Sequence, residues 1–421
     1  AAFGLTTRVT ESTLNAKSEI AINYSKHKPL LDNVRLWDWQ AFHDTVSQIQ
    51  PLRPYRYIDS DVDRYQIDGQ LRQLMITPRE LDISQLGEAR SRWINPHLVY
   101  THGYGIVMAE ANRITSEGLP VLFVQDAPPK VNSPSLKFTT PQLYYGEAAQ
   151  EPVYVGTGQE EFDYPSGEKN VHTHYHGKGG IPINFLSRLA AAVEYGDPNV
   201  LLTNYFTDNS RLMIHRQVRE RLSTLAGFVQ WDEVPYIVLT NEGRLVWMVD
   251  GYMTSSAHPY ARELDIDGIG TVNYMRNSVK ATIDAYSGET HLYVFNQADP
   301  LIQAYWKLFP TLFEPESSMP KDLRQHARYP ETLFAATYQR QRKAWGFNGG
   351  GPGSNIYRTT DGGATWKKLT EGLPKGDKGR IGLDLFQGDG RLVYAIVEAA
   401  GHDNGLYRST DRGDTWTQLG T

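Results

Sequence analysis

The sequence predicts an α+β fold: a mixed domain with large antiparallel sheet content and helices, followed by an all-β two-repeat propeller-like segment. Three observations carry this. Strand-like runs such as "VPYIVLT", "RLVWMVDGY" and "THLYVFN" outnumber the helical stretches without alternating strictly with them, which argues against a doubly wound sheet. Glycine is unevenly spread, with 17 of the 37 glycines in residues 337–421. The same stretch repeats itself, "NIYRTTDGGATWKKL" against "GLYRSTDRGDTWTQL", with Asp361 and Asp411 fifty residues apart, a period of propeller-blade length.

Taken in order, "WDWQAFHDTVSQIQ" reads as the first helix, with Asp32 and Asn33 as capping candidates. "HLVYTHGYGIVM" reads as a strand with a glycine bend at Gly103 and Gly105, and "FLSRLAAAVEYG" as a second helix. "NSRLMIHRQVRERLSTLAG" reads as one long helix, Leu212, Val218, Leu222 and Leu225 on its buried face and Arg211, Arg216, Arg219 and Arg221 with Glu220 on a solvated one. A hairpin turns at Glu242 and Gly243 in "LTNEGRLVWM". The glycine boundary falls near Phe334 to Thr337, giving domains 1–334, with a subdomain break near 130–150, and 335–421. Charge agrees: residues 337–421 carry +3 and the rest −9.

At 421 residues the chain is long enough for two or three domains, and its 21% charged and 40% apolar content is that of a globular protein. A net charge of −6 provides no basic face for nucleic acid. Without cysteine there is no disulfide framework, thiolate zinc site or thiol nucleophile. Neither a long apolar run nor a leader pattern occurs, so we expect a soluble piece of something larger.

Chemistry concentrates in two motifs. In "NVHTHYHGKGG", His172, His174 and His176 alternate, so a strand would point them the same way and make them candidate zinc ligands. A straight strand sets the outer two about 13 Å apart, so only neighbours can share an ion, with a further ligand from His215, His258, Glu194 or Asp208. In "YIDSDVDRYQIDGQ", Asp59, Asp61 and Asp63 occupy the first, third and fifth places of a calcium loop, but Arg64 stands where the turn needs Gly and Gln70 where a bidentate Glu belongs. An irregular calcium site, or an arginine that offsets the three charges, is the remaining expectation. "THGYG" lacks a Gly-x-Ser-x-Gly partner, and "HGKGG" lacks phosphate-loop spacing, which leaves no named catalytic motif.

Each tail repeat reads Ser/Thr-x-Asp-x-Gly-x-Thr-Trp: Asp361, Gly363, Thr365 and Trp366, then Asp411, Gly413, Thr415 and Trp416. An Asp oxygen accepting turn N–H groups, a Gly tolerating positive φ and a covering Trp make these turn-holding residues. The motif resembles the Asp-box of bacterial neuraminidase repeats, and the sequence from about Ala336 looks like secreted sortilin-type propellers, which implies a structural role. Two blades do not close a ring.

From Ala1 to Phe334, "LDNVRLWDWQ", "DVDRYQIDGQLRQLM", "EFDYPSGEKNV", "RNSVKATIDAYSGE" and "MPKDLRQHARYPETLF" stand in the order found in uncharacterised protein family 0182, which this region resembles. The resemblance implies the soluble, outward-facing part of a membrane protein whose anchoring helices are not in this chain. It implies extracytoplasmic location and carries over no catalytic residue; the open blade edges of the tail, which need covering, and the aromatic content suit protein-subunit or glycan partners. The departure after "RYPETLF" implies a chimera of two sequence types. We therefore expect a non-catalytic binding or scaffold region, with a metal-dependent hydrolase at the histidine strand and a constitutive envelope-complex subunit as alternatives.

Overall fold

Long aliphatic and aromatic runs build two six-stranded sheets in the larger part of the chain. The computed structural model describes residues 36–258, 263–266, 269–328, 333–343, 345–360, 365–385 and 391–420. It divides into two compact units, one of them Asn33–Arg328 and the other containing the chain from Tyr329 onward.

In the larger unit, helix α1 (Trp39–Ile49) precedes β1 (Tyr55–Tyr57), β2 (Asp61–Ile67), β3 (Gln70–Leu81), β4 (Ile106–Ile114), β5 (Pro120–Gln125) and β6 (Lys130–Val131). These strands pair in the order β1-β3-β4-β5-β6, with β2 also on β3. Asp38 caps α1, accepting from the Gln40 N–H. The cap is thus Asp38, and Asp32 and Asn33 lie outside the described residues. Phe42 and Val46 of α1 pack on Met75, Val107 and Ala109, covering one face of the sheet.

The middle of the unit is a run of short elements: β7 (Val153–Val155), β8 (Glu161–Ser166), β9 (Lys169–Thr173), β10 (Ile181–Pro182), α2 (Phe185–Glu194), α3 (Asn199–Leu202), β11 (Arg211–Met213) and α4 (Val218–Leu225). Strand β11 sits between β10 and β7. The long helix expected over Asn209–Gly227 is therefore a strand, a bend and a shorter helix. Leu212 and Met213 pair with Tyr154 and Val153, and His215 takes a left-handed φ of 47° that no helix continues through. Val218 and Leu222 are buried as expected, but Leu225 is exposed and Arg216, expected in solvent, is buried. The expected strand at "HLVYTHGYGIVM" starts as a turn over Asn95–Val99 and becomes extended only from Gly103.

The second sheet contains β12 (Gln230–Trp231), β13 (Tyr236–Leu239), β14 (Leu245–Ser255), β15 (Tyr274–Asp284) and β16 (Thr290–Val294), then, after α5 (Pro300–Leu308), β17 (Phe313–Pro315) and α6 (Lys321–His326). Its order is β12-β14-β15-β16-β17, with β13 on β14. Gly243, at φ 85°, makes the turn between β13 and β14, its N–H bonded to the Thr240 carbonyl.

Alternation sorts the faces. Leu74, Ile76, Ile106 and Met108 of the first sheet meet Trp247, Val249, Val279, Ala281 and Ile283 of the second in one core. On the other face of β14 and β16, Val246, Met248 and Tyr293 pack under Met319 and Leu323, so α6 covers the second sheet as α1 covers the first. That second face also buries an ion pair between Lys280 and Asp250. Both partners are almost wholly inaccessible, and burial shifts each toward its neutral form against the attraction of the other, so removing either one alone leaves an uncompensated buried charge.

The smaller unit is all β. Strands β18 (Leu333–Ala336), β21 (Ile356–Thr359) and β22 (Lys367–Leu369) form one sheet, β19 (Gln341–Lys343) and β20 (Gly346–Asn348) a hairpin, and β23 (Lys378–Leu385), β24 (Val393–Ala399), β25 (Gly405–Ser409) and β26 (Thr417–Gly420) a four-stranded meander. Val393, Ala395, Val397, Tyr407 and Trp416 pack on Ile356 and Leu369. Among the described residues the two sheets do not close a ring.

Candidate functional site

The strand that carries the histidines ends before most of them. His172 lies on β9, exposed and edge-on to Phe162 at 6.3 Å, whereas His174 and His176 follow in a loop. That loop and the turn at Thr207–Arg211 line a polar cavity of about 610 Å³ that opens to solvent, with His174, His176, Lys178 and Asp208 among its walls. His172 is not among its lining residues. Among the described residues no three His, Asp or Glu side chains are placed to hold one ion.

The loop backbone is pinned from beneath. The His176 N–H donates to the Tyr286 hydroxyl at 3.0 Å, and the Gly179 N–H to the Tyr175 hydroxyl at 2.9 Å. Arg211 donates from Nε to the Gly179 carbonyl at 2.7 Å and from Nη2 to the Gly180 carbonyl at 3.1 Å. A Cβ on Gly179 would stand 1.9 Å from the Ser287 carbonyl oxygen, so glycine is required there. Below lies Glu161, wholly buried, accepting from Thr101 Oγ1, Tyr144 Oη and the Tyr175 N–H at 2.6, 2.8 and 3.0 Å. Burial pushes its carboxyl above the usual range while these donors pull the other way. Arg216 ties three segments together, donating to the carbonyls of Tyr144 at 2.7 Å, Glu151 at 2.9 Å and Thr101. Burial lowers its pKa to about 10, so it stays charged at neutral pH.

The three aspartates do not converge on an ion. Asp61 pairs with Arg328 at 2.5 Å and Asp63 with His326 at 2.7 Å, while Asp59 accepts from the Ser60 N–H. "RQHAR" thus supplies the Arg328 cation and the His326 imidazole that engage the cluster. Burial raises Asp61 to about 6 despite Arg328. Nearby, Glu80 accepts from the N–H groups of Glu147 and Ala148 at 2.9 and 2.7 Å. Burial, then the charges of Glu80, Asp59 and Asp61, raise Glu147 to about 8, against the opposing charge of Arg219.

A third feature was missed at the level of sequence. Helix α2 is capped by Asn184 and Ser187 in a reciprocal box, but its apolar side faces away from the protein. Phe185, Leu186 and Val193 are 74%, 74% and 76% exposed, and Leu202 of α3 is 79% exposed. The polar residue points inward instead: Arg188 donates to the carbonyls of Val200, Leu201 and Thr203 at 3.0, 2.7 and 3.0 Å. Ala191 and Val200 are buried in the core beneath, against Leu98, Tyr154 and Leu212, with Ala192 packed partly buried beside them. The signal was present as apolar residues at 185, 186, 189 and 193, a helical stripe.

In the tail, Asp411 Oδ1 accepts from the Thr415 N–H at 2.9 Å and Oδ2 from the Thr415 hydroxyl at 2.6 Å. The Gly413 N–H donates to Ser409 Oγ, and Trp416 Nε1 to the Gly413 carbonyl. Bonds from Thr415 and Ser409 hold the Asp411 carboxyl down at about 2. Trp416 is buried, whereas Trp366 of the first repeat is exposed beside Thr365. Asp361 and Gly363 lie outside the described residues.

Comparison with known proteins gives relatives without an assigned role. A protein of Solibacter usitatus is 62% identical over 337 residues, covering 80% of this chain and 37% of its own length. One from Pelotomaculum thermopropionicum is 44% identical over 306 residues, 72% and 33%, and one from Trichodesmium erythraeum 40% identical over 351 residues, 79% and 38%. All three are named only as UPF0182 proteins. The chain spans about a third of the length of these curated relatives. No solved structure matches. Among the described residues no helix is long and apolar enough to cross a membrane. With the family model matching residues 1–343, the chain belongs to the Uncharacterised protein family (UPF0182).

Proposed function

We propose that this chain is a non-catalytic binding or scaffold region of an extracytoplasmic, membrane-associated protein, and that it docks through α2 and α3 onto an apolar protein surface. The observation that carries this is the inverted helix: Arg188 turned inward and Phe185, Leu186, Val193 and Leu202 turned out. Soluble surfaces rarely present so many large apolar side chains together unless something covers them. Covering each stabilises the contact by roughly 1–2 kcal/mol. A lipid surface fits less well, because interfacial helices carry Lys and Arg on the polar face and α2 has only Arg188, already engaged, beside Glu194. The remaining two thirds of the family-length protein is the source of the partner surface.

Support for a non-catalytic role comes from the buried ionisable groups. Glu161, Arg216, Lys280 and Asp250 are each engaged in holding segments together. The tail is read as a pair of Asp-box blades, with Asp411 holding the turn of the second, a structural appendage rather than a site.

The test is association between this chain and the rest of a family-length relative expressed as a separate polypeptide. We expect a complex that the triple change Leu186→Ser, Val193→Ser, Leu202→Ser abolishes without unfolding either piece. A monodisperse monomer on sedimentation, with no complex, contradicts the proposal.

A further inference from the structure

We infer that the cavity between the His174–Lys178 loop and the Thr207–Arg211 turn is a binding site for a small anionic polyol, such as a sugar carrying a carboxylate or phosphate group. This goes beyond the docking role and does not depend on it. The first argument is size and rigidity. At about 610 Å³ the cavity falls within the range of roughly 300–1,000 Å³ typical of small-molecule pockets. Its floor is preorganised, since Tyr175, Tyr286 and Arg211 bond the loop backbone and Gly179 admits no side chain. Loops that merely connect strands do not need fixing from three sides.

The second argument is what the cavity presents. His174, His176, Lys178, Asp208 and Asn209 all line it; His176, Lys178, Asp208 and Asn209 are open to solvent and His174 half-buried, so their polar ends are free to meet a ligand. Lys178 and the two imidazoles are nitrogen donors for an acidic group, and the Arg211 guanidinium adds a second fixed positive charge. Asp208 and Asn209 supply a carboxylate and an amide, which suit hydroxyl groups that donate and accept. A metal ion is disfavoured by Lys178 and Arg211 beside it and by the absence of a three-ligand cluster among the described residues. A polyanion such as nucleic acid is disfavoured by the net charge of −6.

The experiment titrates the whole chain with glucuronate and glucose 6-phosphate, the two acid types, and with uncharged glucose, following the histidine ring resonances by NMR. Loss of signals in His174→Gln and His176→Gln assigns the two rings. We expect saturable shifts of both with at least one acidic sugar in the millimolar range, and binding of glucose weaker by about tenfold or more, or about 1.4 kcal/mol. Lys178→Met is expected to weaken the acidic sugar by a similar factor while leaving the unfolding midpoint unchanged. Whichever acid binds identifies the anionic group. No saturable shift with either acid, equal binding of glucose, or unchanged affinity in Lys178→Met overturns the inference. So does zinc binding that these same substitutions remove and that the acidic sugars do not compete with.

Discussion

Glu147→Gln is expected to change how stability depends on pH, because the folded chain holds this carboxyl where ionisation is unfavourable. Burial, then the carboxylates of Glu80, Asp59 and Asp61, raise it from an ordinary 4.5 to about 8. A folded-state pKa above the unfolded value means the neutral acid is the form the fold prefers. Its contribution is therefore complete below about pH 4.5 and is lost as pH rises through about 8. At about 1.4 kcal/mol per pH unit the loss amounts to roughly 3–5 kcal/mol over that window. Gln keeps the shape and cannot ionise. Urea unfolding of both proteins at several pH values isolates the effect, because every other titrating group, Asp61 included, is common to the pair. The variant is expected to gain stability over the parent progressively between about pH 5 and pH 9 by several kcal/mol. Parallel stability curves for parent and variant would refute the reasoning and place Glu147 in solvent.

Other consequences are smaller or more local. Arg216→Met removes donors to three carbonyls and is expected to cost about 2–4 kcal/mol in urea unfolding, with no rescue by Arg216→Lys, whose single ammonium does not span the three directions. Gly179→Ala drives a Cβ into the Ser287 carbonyl and is expected to lose about 1–3 kcal/mol, with the chemical shifts of the Tyr175–Gly180 loop displaced. Asp411→Ala removes the acceptor for two Thr415 bonds and is expected to speed amide exchange at Thr415, at a cost near 1–2 kcal/mol to the tail alone. Because the Asp411 carboxyl is held down at about 2, its contribution is present above the ordinary value and fades as pH falls through about 2.

Much of the sheet architecture was legible because its strands are buried on both sides. Tyr236–Leu239 and Leu245–Val249 read as strands from continuous apolar or β-branched content, and Gly243 marked the turn between β13 and β14. The segment Asn209–Gly227 was misread because its apolar residues fit a helical period, whereas the pairing of Leu212 with Tyr154 is decided by a strand far away in sequence. Arg216 illustrates the same limit. A lone arginine carries no sign of whether three carbonyls from other segments will surround it. For the aspartate cluster the need for an offsetting cation was readable, but the distance in sequence to His326 and Arg328 hid its source. In α2 the apolar stripe was readable as a stripe, but amphipathicity only states that two faces differ. Which face the protein keeps follows from Arg188 bonding α3 and Ala191 meeting the core.

The most direct test of the docking proposal places a photo-crosslinking amino acid at Val193 of a family-length protein in its native cells, with exposed Glu168 as the control position. The account predicts a defined protein adduct from Val193, to another part of the same chain or to one subunit, and none from Glu168. Adducts to lipid alone, or no adduct from Val193, would contradict it.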